Sequence, residues 1–347
     1  MAYTTINKST DYFNTKLYTG NSSADHAITG VGHQPDLVWL KRRTSATDHT
    51  LYDVIRGVTK GLRSESSDAE ATSTGLTSFD SDGFTVGSAG TQNGGDMASW
   101  NWKAGTTGSG TSSGSGTGKA YSYSVSTTSG FSIVKYTGNG TAGHTIPHHL
   151  GAVPKMLITK NLGRGEHWRV YHSSLGNANK LSLNNITASA SATEWNSTTP
   201  TSSVFSIGTG EQINYNNDNY IAYCFADVQG FSKFGSYTGN GNADAPFIYT
   251  GFKPNFIMLK NTSTAQDWQM YTWDMQPFNE FCTTSAGRLK AESNDAQSTK
   301  TAFDMLSNGF KMRTNAADIN GSGNEIIYMA FAAAPLVGTN NVPANAR

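Results

Sequence analysis

Charge is what this sequence has least of. Only 14% of its 347 residues are Asp, Glu, Lys or Arg, and the 25 basic side chains balance the 25 acidic ones. A net charge near zero excludes capture of nucleic acid or an anionic membrane by a field of one sign. Cysteine is almost absent: Cys224 and Cys282 are too few for a disulfide framework. No stretch approaches the ~20 consecutive apolar residues of a membrane helix. Residues 1–12 lack the basic region and apolar core of a signal peptide. The expectation is a soluble chain made in a reducing cytoplasm, without membrane insertion and without a nucleic-acid partner. Charged and alanine-rich helix surfaces are also missing, which argues against a mostly α fold.

What fills the chain instead is Gly (37 residues), Ser, Thr and Asn, set among short aromatic and β-branched runs. These are the residues of turns and half-buried strands. They are also arranged three times over. Tyr18-Thr19-Gly20-Asn21, Tyr136-Thr137-Gly138-Asn139 and Tyr237-Thr238-Gly239-Asn240 each open a segment of about a hundred residues. Each is followed by a Pro-led apolar run ending in Lys: Pro35 to Lys41, Pro154 to Lys160 and Pro254 to Lys260. Aromatic strands around Tyr52, Tyr171 and Tyr271 come next, then a turn and a closing strand.

Short strands at this turn spacing predict an all-β protein of tandem antiparallel β sandwiches. The boundaries read as 1–104 for the first repeat, 105–129 for a Gly/Ser/Thr linker and lead-in, 130–229 and 230–335 for the other repeats, and 336–347 for a tail. In the first repeat the strands fall near 14–18, 36–41, 50–54, 83–87 and 97–103. Residues 105–118 have nothing to bury and read as flexible coil. Repeats two and three join without a linker, so they are either separate sandwiches or halves of a larger one. A hundred residues suffice for the former. The alternation in 221–225 suggests a strand with one buried face. A short helical turn is expected around 279–282. Cys224 aligns with Ala330 and Asn101, a small packing slot, and reads as a buried free thiol.

Catalytic constellations do not assemble. Glu65 and Glu70 supply the carboxylates of a glycosidase, yet their odd separation would point them to opposite faces of a strand. Segment 65–70 therefore reads as a solvated loop. Asp80-Ser81-Asp82-Gly83 opens like a calcium loop but lacks the later ligands; it reads as a tight turn with Gly83 at positive φ. His144, His148 and His149 have no cysteine beside them, and only His26 repeats the first of them. A metal site there would need copies meeting around a three-fold axis. The Gly-x-Ser-x-Gly match at 110–114 lies in the linker, without the strand and helix of a nucleophile elbow. No catalytic, cofactor or metal residue is expected. Binding falls instead to Trp168, Tyr171, Trp268, Tyr271 and Trp273. A separation of three places one member of each Trp/Tyr pair in the core and the other outward, where such rings stack on sugars or anchor partners.

The phrases ITGVGHQPDLVWLKRR, YDVIRGVTKGL and FDSDGFTVG in the first repeat, with GFSIVKYTGNGTAGHTI, TPTSSVF and YIAYCFADVQGFSKFGSYTGNG in the others, resemble a repeat module of unknown function from structural proteins of marine tailed phages, cyanophages among them. The resemblance spans residues 12–335. It implies a virion component with a lectin-like or jelly-roll sandwich, and it offers no catalytic residues to transfer. The expected role is a non-enzymatic tail-associated fibre or knob for host recognition, made in the host cytoplasm and located in the virion. Its expected partners are other virion proteins, a host-surface glycan, and further copies of itself, a trimer by analogy with phage fibres. Residues 1–11 leave little room for a tail anchor, which keeps a capsid decoration or head fibre as the alternative. A polysaccharide depolymerase, or a lectin outside the virion, would belong to other classes.

Overall fold

Each Pro-led apolar run becomes a strand buried on both faces, which is why it reads as a continuous apolar block rather than an alternating one. In Leu37–Arg42, Leu37 and Trp39 face one core while Val38 and Leu40 face another. Met156 and Ile158 are divided from Leu157 in the same way, and Phe256 and Met258 from Ile257 and Leu259. The computed structural model describes residues 3–275, 279, 286–338 and 340. Cys282, the rest of the turn expected over 279–282 and most of the tail expected over 336–347 lie outside the described residues.

Strands make up 46% of the chain and helices 6%, so the fold is all-β, built of antiparallel sheets. The first repeat has a sheet in the order Phe13–Asn21, Gly94–Trp102, Leu37–Arg42, Thr50–Asp53. A three-stranded sheet, His26–Thr29, Gly83–Val86 and Leu76–Asp80, packs over its outer face. The second and third repeats use the same order and extend it at the edges. Each repeat pairs its large sheet with a three-stranded sheet of its own around a separate core.

The inner faces of all three large sheets meet in one shared core. Phe13 and Trp102 from the first repeat, Phe131 and Phe225 from the second, and Phe256 and Phe331 from the third pack there together. The closing strand Asn219–Phe225 is therefore buried on both sides, not one: Ile221, Tyr223 and Phe225 face the shared core, while Tyr220, Ala222 and Cys224 face the sandwich core. Cys224 is a free, fully buried thiol whose pKa burial pushes up.

The linker is not a coil. Thr106–Thr111 pairs with Ala120–Ser126, and Ser113–Gly114 pairs with His144–Pro147. Gly108 and Gly110 lie beneath the Tyr123 and Tyr121 rings, which leave no room for a Cβ. The stabilising side chains belong to the partner strand, so the composition of 105–118 alone could not reveal the pairing.

The Tyr-Thr-Gly-Asn signature is a lock on a one-turn helix before each closing strand. These helices are Gly90–Asn93, Glu211–Asn214 and Ala317–Asn320. The Tyr hydroxyl donates to the third helical carbonyl, from Tyr18 to Gln92 (2.6 Å), Tyr136 to Ile213 (2.8 Å) and Tyr237 to Ile319 (2.6 Å). The signature Asn amides of Asn21, Asn139 and Asn240 donate to the buried side-chain oxygens of Asn93, Asn214 and Asn320 at 3.0, 2.8 and 2.9 Å. The Gly between them passes so close to the helix end that a Cβ would lie 2.2 to 2.4 Å from backbone atoms.

Candidate functional site

Two of the rings expected to bind a ligand, Trp168 and Trp268, hold the repeats to one another. Trp168, Tyr171, Trp268 and Tyr271 are all buried. The expectation that one of each pair points outward fails because this strand, too, lies between two cores. Trp168 and Trp268 face the shared core, and Tyr171 and Tyr271 face their own sandwiches. Trp168 Nε1 donates to the Arg63 carbonyl of the first repeat at 2.8 Å, and Trp268 Nε1 donates to the Ser182 carbonyl of the second at 2.9 Å. The first repeat has His49 in this place. Its Nδ1 accepts from Trp39, so its Nε2 donates to the Lys290 carbonyl of the third repeat at 3.0 Å. Trp273 is half-buried, with the Lys253 ammonium 3.7 Å from its ring centroid.

The same cyclic order recurs at the strand ends. Glu70 N donates to Leu162 O (3.0 Å), Ser189 N to Thr262 O (3.0 Å) and Gln297 N to Arg43 O (2.7 Å), so the first repeat grips the second, the second the third and the third the first. The ring closes within one chain. The lysines that end the Pro-led strands sit fully buried at these seams. Lys41 Nζ donates to the carbonyls of Arg42, Ser45 and Asn294, and Lys260 Nζ to those of Ile186 and Gln266. Lys160 donates to Asn161 and Arg164. Burial pulls all three ammonium groups down to about 8, while these carbonyls accept from all three N–H groups of Lys41 and from two each of Lys160 and Lys260.

Segment 65–70 is not a solvated loop, because both carboxylates have structural partners there. Glu70 pairs with Arg56 at 3.3 Å and Lys60 at 3.9 Å. Glu65 turns inward and accepts from His49 N at 3.3 Å, with its other oxygen buried. Glu292 repeats this in the third repeat, accepting from Trp268 N at 3.0 Å, and Asn184 takes the same role toward Trp168 N at 3.1 Å in the second. Desolvation, reinforced by the neighbouring Asp48 and Asp267 carboxyls, raises Glu65 to about 7 and Glu292 to about 8. Burial meanwhile lowers His49 to about 3, and His148 and His172 to about 4.

These shifts oppose one another. Raised carboxyls hold protons in the folded chain that the unfolded chain has released, so their contribution falls as pH climbs through 7 and 8. The lowered histidines stabilise the fold above the ordinary imidazole range and lose that contribution as pH falls toward 4. Thermal midpoints at fixed ionic strength should therefore fall as pH drops from ~6.5 toward ~4, whereas near pH ~8 the three buried lysines gain stability as the two carboxyls lose it, leaving only a shallow alkaline limb. Glu292→Gln removes one of the losses on rising pH, so its midpoint at pH ~8 relative to pH ~5 should exceed the wild type's, and a variant profile parallel to the wild type's would refute this assignment.

The remaining sequence candidates find local partners. His144 Nε2 lies 2.7 Å from Ser112 Oγ, His148 Nε2 lies 3.1 Å from the Thr201 carbonyl, and His149 stacks on Tyr123 at 3.7 Å. Among the described residues, no three His, Cys, Asp or Glu side chains group as metal ligands. Gly83 does take a positive φ of 148°, and Asp82 accepts from Gly30 N and Gly32 N at 2.9 and 2.7 Å, tying the turn down.

One open cleft lies where the sequence drew no attention. It encloses about 450 Å³ between Tyr3, Asp227, Gln229, Lys233, Tyr249 and Thr250. Tyr3 donates to the Gly251 carbonyl at 2.9 Å, and its hydroxyl lies 3.3 Å from that of Tyr249. Burial and this neighbour raise the Tyr3 phenol to about 12. Tyr249 is 54% exposed and Phe247, two residues away on the same strand face, is 44% exposed. Comparing the three repeats position by position would have found them.

Taken together, the chain is an all-β protein of three sandwiches closed into a ring around one core. It belongs to the family described as a domain of unknown function (DUF7483), whose model matches residues 8–335. No curated protein and no solved structure matches it. No helix among the described residues is long and apolar enough to cross a membrane.

Proposed function

We propose that this protein is a non-enzymatic structural component of a phage particle, displayed at the tail as a fibre or knob that contacts the host surface. The observation that supports the reading is the closed ring. Three copies of one sandwich spend their large aromatic side chains on a common core and on cyclic seams. Such a body is a rigid display scaffold, and its outward surface differs from repeat to repeat.

Immunogold electron microscopy of purified particles, with an antibody raised against this chain, tests the reading. Label at the tail is the expected result. Label over the head would move the protein to the capsid, as a decoration or head fibre. No label, with the chain missing from a mass-spectrometric inventory of the same particles, would end the virion reading.

A further inference from the structure

The three repeats act as an internal control on which side chains the fold requires. The strand His26–Thr29 of the first repeat, His144–Pro147 of the second and Phe247–Tyr249 of the third occupy one place in the small sheets. Ile28, Ile146 and Ile248 point inward in each, opposite Phe84, Phe205 and Phe310. The flanking outward positions hold Ala27 and Thr29 in the first repeat and Thr145 and Pro147 in the second. Only the third places aromatic rings there, Phe247 and Tyr249, both exposed. The sandwich forms twice without them, so packing does not explain their presence, and holding two such rings in water is unfavourable.

We infer that Phe247 and Tyr249, with the adjoining cleft, form a binding site for a neutral oligosaccharide. Alternation along the strand places both rings on one face, about 7 Å apart, as a stacking platform. The cleft beside them adds what a sugar's hydroxyls need: the Tyr3 and Tyr249 phenols and the exposed Gln229 amide. Its two charged lining groups, Lys233 and Asp227, face each other at 3.6 Å, so neither sign is in excess for an ionic ligand. An aromatic face joined to neutral hydrogen-bonding groups suits a pyranose, whose ring C–H groups stack while its hydroxyls bond at the edge. This deepens the host-contact role proposed above and rests on that reading for its biological meaning.

The test uses the whole chain and a variant that writes the first repeat's residues into the third, Phe247→Ala with Tyr249→Thr. Because those residues already serve this fold in the first repeat, the variant should keep the wild-type thermal midpoint. Both proteins are applied to a printed array of neutral hexose and N-acetylhexosamine oligosaccharides, and retained sugars are titrated calorimetrically. The expected result is wild-type binding that weakens at least about tenfold in the variant. A blank array, equal binding by both proteins, or a loss traced to a destabilised variant and not reproduced by Tyr249→Phe with Phe247→Ala would overturn the site. Array binding does not depend on particles. A blank array with tail label would sink the cleft alone, and array binding without particle label would sink the virion role alone.

Discussion

Replacing Trp102 by Ala lowers the stability of the whole chain by about 4 kcal/mol, within the range for removing a large buried ring. The side chain is 2% exposed at the centre of the shared core. Its ring centroid lies 5.0 Å from Phe13, 6.5 Å from Phe131, 6.3 Å from Phe225, 6.1 Å from Phe256 and 5.7 Å from Phe331, so it touches all three repeats. A cavity there weakens every repeat together. Chemical denaturation, followed by fluorescence and by far-ultraviolet dichroism, should show one transition in the wild type and one, displaced to lower denaturant, in the variant. Trp102→Phe should cost less than the Ala change. The indole N–H has no hydrogen-bond partner among the described residues, so deleting it removes a buried unsatisfied donor while most of the volume stays. Separate transitions, with only the first repeat displaced, would show that the repeats are independent.

Gly239→Ala should cost about 3 kcal/mol, because a side chain cannot be accommodated where backbone meets backbone. Its Cβ would lie 2.2 Å from the Gly321 carbonyl oxygen and 2.7 Å from the carbonyl carbon of Asn320. Relieving that contact pulls Asn240 away from Asn320 and Tyr237 away from Ile319, so the lock is lost with it. Gly90→Ala supplies the control: among the described residues nothing lies within 4 Å of its added Cβ, and its φ is not positive. It should stay within about 0.5 kcal/mol of wild type. A similar small effect at Gly239 would mean that the signature is not the structural lock described here.

Much of the architecture could be read from particular residues. The threefold Tyr-Thr-Gly-Asn signature marked the repeats, and the Pro-led runs marked their central strands, because local backbone demands and apolar periodicity are written in neighbouring residues. The sites were less legible. Trp168 and Trp268 look like binding residues in a strand of unknown surroundings, and only the approach of a neighbouring repeat buries them. Residues 105–118 look like a coil because the tyrosines that cover their glycines lie in another strand. Glu65 and Glu292 look solvated until the chain folds them inward beside Asp48 and Asp267.

By itself, then, the amino-acid order determined the all-β class, the three repeats, the central strands and the small buried slot at Cys224. Each of these depends on turn chemistry, strand periodicity or side-chain size within a few residues. Only the tertiary structure decided that the sandwiches close into one ring, which aromatic side chains remain in solvent, and which carboxyls and lysines are buried. Those outcomes depend on contacts across the seams between repeats, such as Lys41 with the Asn294 carbonyl and Lys260 with the Ile186 carbonyl, whose desolvation no local pattern records.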